Sequence, residues 1–169
     1  MEKEATKPKK KVLTEEEKAA RMEAARKYTD TLVDKAAAAE SEYAHFTQDQ
    51  VDKIVAAAAH AGSSAALMLA HEAVEETNRG VVEDKDTKNR FATENIYNAI
   101  KDEKTVGIIA EDKIKGEVQI AAPLGVLAGI VPTTNPTSTA MFKSLMALKT
   151  RNAIVFAFHP QAQNCSAHA

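Results

Sequence analysis

Apolar residues recur at helical spacing through the first hundred positions and in short dense runs after them, so helices are predicted first and strands later. Thr14-Glu15-Glu16-Glu17 has the spacing of a capping box, in which a hydroxyl and a carboxylate at a helix start satisfy each other's backbone N–H groups. A helix is predicted from there to about residue 42, with Met22, Ala25, Leu32, Val33, Ala36 and Ala39 on one mildly apolar face. Thr47-Gln48-Asp49-Gln50 repeats the box with glutamine, and Val51, Ile54, Val55 and Ala58 follow as an i, i+3, i+4, i+7 stripe. Gly62-Ser63-Ser64 is read as an interruption, and a third helix is expected over 64–78. Gly80 then stands where a left-handed terminating residue belongs. A fourth helix is expected over 87–101, with Phe91, Ile96 and Ile100 as its apolar members.

After residue 104 the pattern changes. TVGIIA (105–110) and EVQIA (117–121) flank the turn-rich EDKIKG and predict a β-hairpin. GVLAGIV (125–131) and AIVFAF (153–158) are too short for buried helices and are bounded by Gly, Pro or Asn, so both are read as strands. Between them, Ala140, Met141, Leu145 and Leu148 sit at helical spacing over 137–149, with Lys143, Lys149 and Arg151 outward or near the helix end. Strand, helix, strand in this order is a βαβ unit with parallel strands and a right-handed crossover. The chain therefore divides into a tail (1–13), a helical region (14–104), a hairpin (105–121) and the start of a parallel α/β domain (122–169).

Composition narrows the classes. The tail is rich in Lys, Pro and Glu without periodicity and is read as disordered. Apolar residues make up 44% and charged residues 27% of the 169 positions, a globular balance, and the net charge of −2 gives no basic field for nucleic acid or a membrane surface. No run approaches the roughly 18 apolar residues of a membrane span, and the charged start lacks the apolar core of a secretory signal. The chain is accordingly read as soluble and cytoplasmic. A single cysteine, Cys165, provides neither an internal disulfide nor a zinc cluster. His45, His60 and His71 fall on predicted helices without acidic partners at ligand spacing, so no metal is expected.

Candidate chemistry gathers at one place. In open parallel sheets, ligands bind beyond the carboxyl ends of the strands. Pro132-Thr133-Thr134-Asn135-Pro136 follows the first parallel strand and His159-Pro160-Gln161 the second. Hydroxyls, an amide and the free N–H groups of a new helix are donors suited to phosphate or to a developing oxyanion. Spacing alone equally fits a structural duty, because Thr134 or Asn135 before Pro136 is the pattern of an N-cap followed by proline at the first helical position. Neither a G-x-G-x-x-G nor a Walker motif is present. Cys165 lies at the start of the next predicted helix with no activating base positioned beside it and is read as non-catalytic; His168, three residues on, is within reach on a helix face, but the stretch is read as surface helix.

The stretch APLGVLAGIVPTTNPTSTAMFKSLMALKTRNAIVFAFHPQAQ (122–163) closely resembles the aldehyde dehydrogenase half of bacterial bifunctional aldehyde-alcohol dehydrogenases, within the aldehyde dehydrogenase superfamily. FTQDQVDKIVAAAAHA and VVEDKDTKNRFATENIYNAIKDEKTVGIIAED look like the same family, so the resemblance covers about residues 40–169 and, less specifically, 14–39. It implies an α/β, aldehyde-dehydrogenase-like fold in which amino-terminal helices and a hairpin lead into the first βαβ unit of an incomplete, Rossmann-like NAD-binding domain. It implies NAD as cofactor and CoA as co-substrate, in the reversible conversion of acetyl-CoA and NADH to acetaldehyde, CoA and NAD. By the same resemblance Ile130, Val131, Pro132, Thr133, Thr134 and Asn135 line the NAD site, and the Asn135 amide donates to the thiohemiacetal oxyanion. His159 and Pro160 fall where many relatives have Lys-Pro, whose lysine holds the adenosine ribose; histidine is usual there in the acylating branch.

The family's nucleophilic cysteine lies beyond this chain and its iron belongs to the alcohol dehydrogenase half, so a fragment inactive by itself is expected. The implied partners are a small aldehyde or acyl-CoA, and further copies of the enzyme in oligomers or filaments. Two other readings stand beside this one. One is a non-catalytic module that packs against neighbouring subunits. The other is a piece of a stand-alone microcompartment acylating dehydrogenase, which shares the TNP element but looks less similar around Phe142-Lys143-Ser144-Leu145 and Lys149-Thr150-Arg151-Asn152.

Overall fold

Both capping boxes form. In the computed structural model, which describes residues 13–169, the Thr14 hydroxyl accepts from the Glu17 N–H while the Glu17 carboxylate accepts from the Thr14 N–H, opening helix α1 (Glu15–Tyr43). Thr47 and Gln50 do the same for α2 (Gln48–Ser64). The tail expected over 1–13 lies, Leu13 apart, outside the described residues. No residue of α1 is buried, and its last turns fix it to the rest: the Tyr43 hydroxyl donates to the Leu148 carbonyl at 2.9 Å. Val51, Val55 and Ala59 of α2 bury against Leu145, with Tyr43, Phe46, Tyr97, Ile100 and Leu148 closing around them. Burying a Val or Leu side chain in this way contributes about 1.5–3 kcal/mol each.

The chain between α1 and the hairpin departs from the sequence reading in four places. Gly62 does not break α2, which continues to Ser64 before α3 (Ala66–Thr77) begins. A Cβ at Gly62 would stand 2.8 Å from the Thr93 methyl and 3.0 Å from the Met141 sulfur, so glycine there permits close packing rather than a turn. The residue that ends α3 in the left-handed region is Asn78 (φ 53°), with Gly80 (φ 74°) two positions beyond; Asn tolerates this conformation through its short polar side chain. The fourth helix starts at Val82 rather than at 87. It runs as α4 (Val82–Arg90), one π turn (Phe91–Asn95) and α5 (Ile96–Ile100), and Phe91 is 57% exposed. VEDKDTKNR carries too few apolar residues to show a period, because polar bonds hold that helix in place. His45 falls in the turn after α1, not on a helix.

The hairpin pairs β1 (Gly107–Asp112) with β2 (Glu117–Ala121) antiparallel, with an irregularity between Ile108 and Ala110. The second half is the expected βαβ unit. Strand β3 (Val126–Val131) pairs in parallel with β4 (Ala153–Phe158) from Val126↔Ala153 to Val131↔Phe158, through the crossover helix α6 (Pro136–Lys149). Short α7 (Gln163–His168) follows and packs on α3.

The α6–β4 corner is where the sequence reading of charge fails. Lys149 and Arg151 are buried, with 2% and 7% exposure, not outward. Lys149 Nζ donates to Asp52 Oδ1 at 2.7 Å and to the Lys101 carbonyl at 2.9 Å. Arg151, in the left-handed region at φ 57°, donates to the carbonyls of Ala44 and Ala121. Asn152 Oδ1 accepts from the N–H groups of Leu124 and Gly125. This corner therefore ties α1, α2, the hairpin and β3 together. Among the described residues no single helix is long and apolar enough to cross a membrane.

Candidate functional site

The loop after β3 is held from beneath by one face of α4. Residues 85, 88 and 89 lie at i, i+3 and i+4, so their side chains project together. Lys85, 5% exposed, donates from Nζ to the Thr134 carbonyl at 3.1 Å. Burial, reinforced by the charge of Lys88, holds the Lys85 ammonium below the usual lysine range. Asn89 is fully buried; its Nδ2 donates to the Ala66 carbonyl at 2.8 Å and its Oδ1 accepts from the Thr137 hydroxyl at 2.7 Å. Lys88 Nζ donates to Asn135 Oδ1 at 3.1 Å.

Asn135 occupies the N-cap position of α6, with Pro136 next, yet its side chain makes no capping bond. Its Oδ1 is engaged by Lys88, and one N–H of its Nδ2 approaches the Thr134 hydroxyl at 3.4 Å. Of the N-cap pattern the positions form, with Asn135 at the cap and Pro136 in the first turn, while the side-chain capping bond does not. Beside Asn135 opens a largely apolar cleft of about 710 Å³, walled by Phe91, Ala92 and Ile96 on one side and by Ser138, Thr139 and Phe142 of α6 on the other, with Thr87 and Lys88 at its edge. The π turn places Phe91 on that wall.

The other predicted residues line the sheet edge rather than this cleft. Ile130 is exposed, and its carbonyl accepts from Lys143 Nζ at 2.6 Å; Val131 is buried, and its carbonyl accepts from the His159 N–H at 3.1 Å, which continues the parallel ladder by one bond. Pro132 and Thr134 are exposed, and the Thr133 hydroxyl oxygen is buried without a hydrogen-bond partner. His159 Nδ1 accepts from the Gln161 N–H at 3.1 Å, while Pro160 is exposed. Sequence reasoning missed Lys85, Lys88, Asn89 and the apolar wall. The one available signal was the Lys-x-x-Lys-Asn face of a polar helix, with the aromatic Phe91 two residues after it.

Cys165 is buried, and burial together with the neighbouring Glu76 carboxylate pushes its thiol up to about 12. A thiol so placed stays protonated at neutral pH and is no nucleophile. Burial alone would raise the Glu76 carboxyl, but bonds from the N–H groups of Cys165 and Asn164 hold it below its ordinary range. His168 does not meet Cys165; its Nδ1 lies 2.8 Å from Glu72. Among the described residues no group of His, Cys, Asp and Glu could hold a metal ion.

Comparison with known proteins agrees with this architecture. The family model described as "Aldehyde dehydrogenase family" matches residues 2–168. The chain is 57% identical over 137 residues to the bifunctional aldehyde-alcohol dehydrogenase of Escherichia coli, which covers 81% of this chain and 15% of that protein. An acetylating aldehyde dehydrogenase from Geobacillus thermoglucosidasius superposes with a TM-score of 0.82 at 49% identity, over 84% of this chain and 31% of that one. A Rhodopseudomonas palustris propionaldehyde dehydrogenase with bound propionyl-CoA superposes with a TM-score of 0.66 at 31% identity, over 81% of this chain and 30% of that one. The chain thus spans less than a third of each of these relatives. Its helices, hairpin and first βαβ unit are an α/β aldehyde-dehydrogenase-like fold in part. By its sequence over nearly its whole length and by this architecture, the chain belongs to the aldehyde dehydrogenase family.

Proposed function

We propose that the chain is the amino-terminal part of a CoA-acylating, NAD-dependent aldehyde dehydrogenase that interconverts acetyl-CoA and acetaldehyde in the cytoplasm. The observation that carries this reading is the Asn135 side chain. It sits at a helix start without capping it, its carbonyl end is taken by Lys88, and it borders an apolar cleft. An amide donor fixed there is available to an oxygen that becomes negative as a thiol adds to the carbonyl, where such donors count most. The thiol in question is not the protonated, buried Cys165.

The sheet edge fits a dinucleotide. Ile130, Val131, Pro132, Thr133 and Thr134 would lie along it, and the start of α6, without a side-chain cap, offers backbone donors to a phosphate. Because His159 Nδ1 accepts a bond, the neutral ring carries its proton on Nε2, which is free to donate to a ribose hydroxyl, with Pro160 holding the turn beside it. Bound NADH would supply the hydride that reduces the acyl carbonyl. CoA as co-substrate is supported by the propionyl-CoA complex of the R. palustris relative.

The test is a hybrid in which residues 14–169 replace the matching segment of the E. coli relative. Acetyl-CoA-dependent NADH oxidation is expected. N135A should lower its kcat by about 10²–10³, the usual loss for one oxyanion donor. Undiminished turnover in N135A would refute the reading.

A further inference from the structure

Lys88 lies one helical turn after Asp84, an acid it could pair with, yet among the described residues it forms no ion pair and reaches across to Asn135 instead. An amide has two chemically opposite ends. With an ammonium on Oδ1, the flipped orientation would set the Nδ2 donors against Lys88, donor against donor, and is disfavoured. A charged donor on the carbonyl also withdraws electron density from the amide and strengthens its remaining N–H as a donor. One turn earlier on the same face, Lys85 holds the Thr134 carbonyl, and Asn89 holds the Thr137 hydroxyl. The Lys85 and Asn89 bonds hold the residues on both sides of Asn135, one by its carbonyl and one by its side chain, and Asn135 itself has the irregular dihedrals φ −136° and ψ 60°.

We propose that Lys88 is a positioning residue: by holding Oδ1 it selects the single amide orientation in which Nδ2 is the donor end Asn135 offers to a ligand, and it sharpens that group as a donor, on a backbone set by Lys85 and Asn89. This rests on the reading of Asn135 as the oxyanion donor. Lys88 itself touches no reacting atom.

The experiment is a double-mutant cycle in the hybrid described above. K88M is expected to lower kcat about tenfold, with the KM for acetyl-CoA within about twofold, and K88R to recover most of the loss. In N135A, adding K88M is expected to change nothing further, because Lys88 acts only through that amide. A K88M enzyme at parental kcat, or a double mutant whose losses multiply, overturns the proposal. N135A at parental kcat instead overturns the oxyanion reading, so the two failures are distinguishable. A second measurement does not need turnover. In the 169-residue chain, the Asn135 side-chain amide resonances, identified by their loss in N135A, should shift in K88M and largely return in K88R. Resonances unmoved by K88M would overturn the proposal as well.

Discussion

Deleting the acid at the α2–α6 contact should cost more than deleting the base it bonds. Lys149 and Asp52 meet at 2.7 Å, but the Lys149 side chain is 3% exposed and that of Asp52 40%. Removing one partner of a fully buried pair costs about 3–5 kcal/mol, mostly because the other charge is stranded. In D52N the stranded group is the buried ammonium, left with the Lys101 carbonyl and a neutral amide; water at the exposed side of Asp52 reduces the cost to about 2–3 kcal/mol. In K149M the stranded group is Asp52, which solvent can reach, and methionine keeps the volume, so about 1 kcal/mol is expected. The double mutant should fall near K149M alone. Urea unfolding followed by circular dichroism reads all three. The reasoning fails if K149M costs as much as D52N, or if the two losses add. Its pH dependence has a definite sign. Burial alone would raise the Asp52 carboxyl, but bonds from Lys149 and Gln48 outweigh it and hold the folded-state value down. The stabilisation is therefore complete above the unfolded carboxyl's value of about 3.9 and fades as pH falls through the lower folded value, taking the D52N difference with it.

The thiol of Cys165 should resist alkylation in the folded chain at pH 8 and react at an ordinary rate in denaturant; equal rates in both would show it accessible and ionisable. Its raised folded-state value also means that stability is complete below the free thiol's range, about 8.5, and declines as pH rises toward 12, so C165S should flatten the alkaline limb of an unfolding series. The hairpin leaves Ile108, Val118 and Ile120 at least half exposed, an apolar surface of the kind through which copies of a protein pack. I108K with V118K should lower the sedimentation coefficient of the hybrid without changing its circular dichroism, and an unchanged assembly would remove the hairpin from that role.

Much of the fold could be read along the chain because its signals are local. The Thr14 and Thr47 boxes, the run at 153–158 and the proline at the start of α6 each declare themselves within a few residues, and each appears in place. Asn135 was singled out by the resemblance of its Asn-Pro element to the family's, since spacing alone fitted an N-cap equally well. What could not be read depends on distant partners. Lys88 meets Asn135 across 47 positions, Lys149 meets Asp52 across 97, and Gly62 matters because Thr93 and Met141 crowd it. Periodicity assigns such charges to solvent and such a glycine to a turn, and only the packed chain reverses both.

The Arg151 corner also dictates a folding order. Its guanidinium captures carbonyls that precede it by 107 and 30 residues, at Ala44 and Ala121. During synthesis α3 and α4 can pack as soon as they emerge, yet the end of α1 and the end of the hairpin stay unlinked until residue 151 has left the ribosome, since no earlier group satisfies both carbonyls. Closure of such long loops is slow compared with helix formation, so the nascent chain waits with its first helices made and the link from α1 to the hairpin deferred.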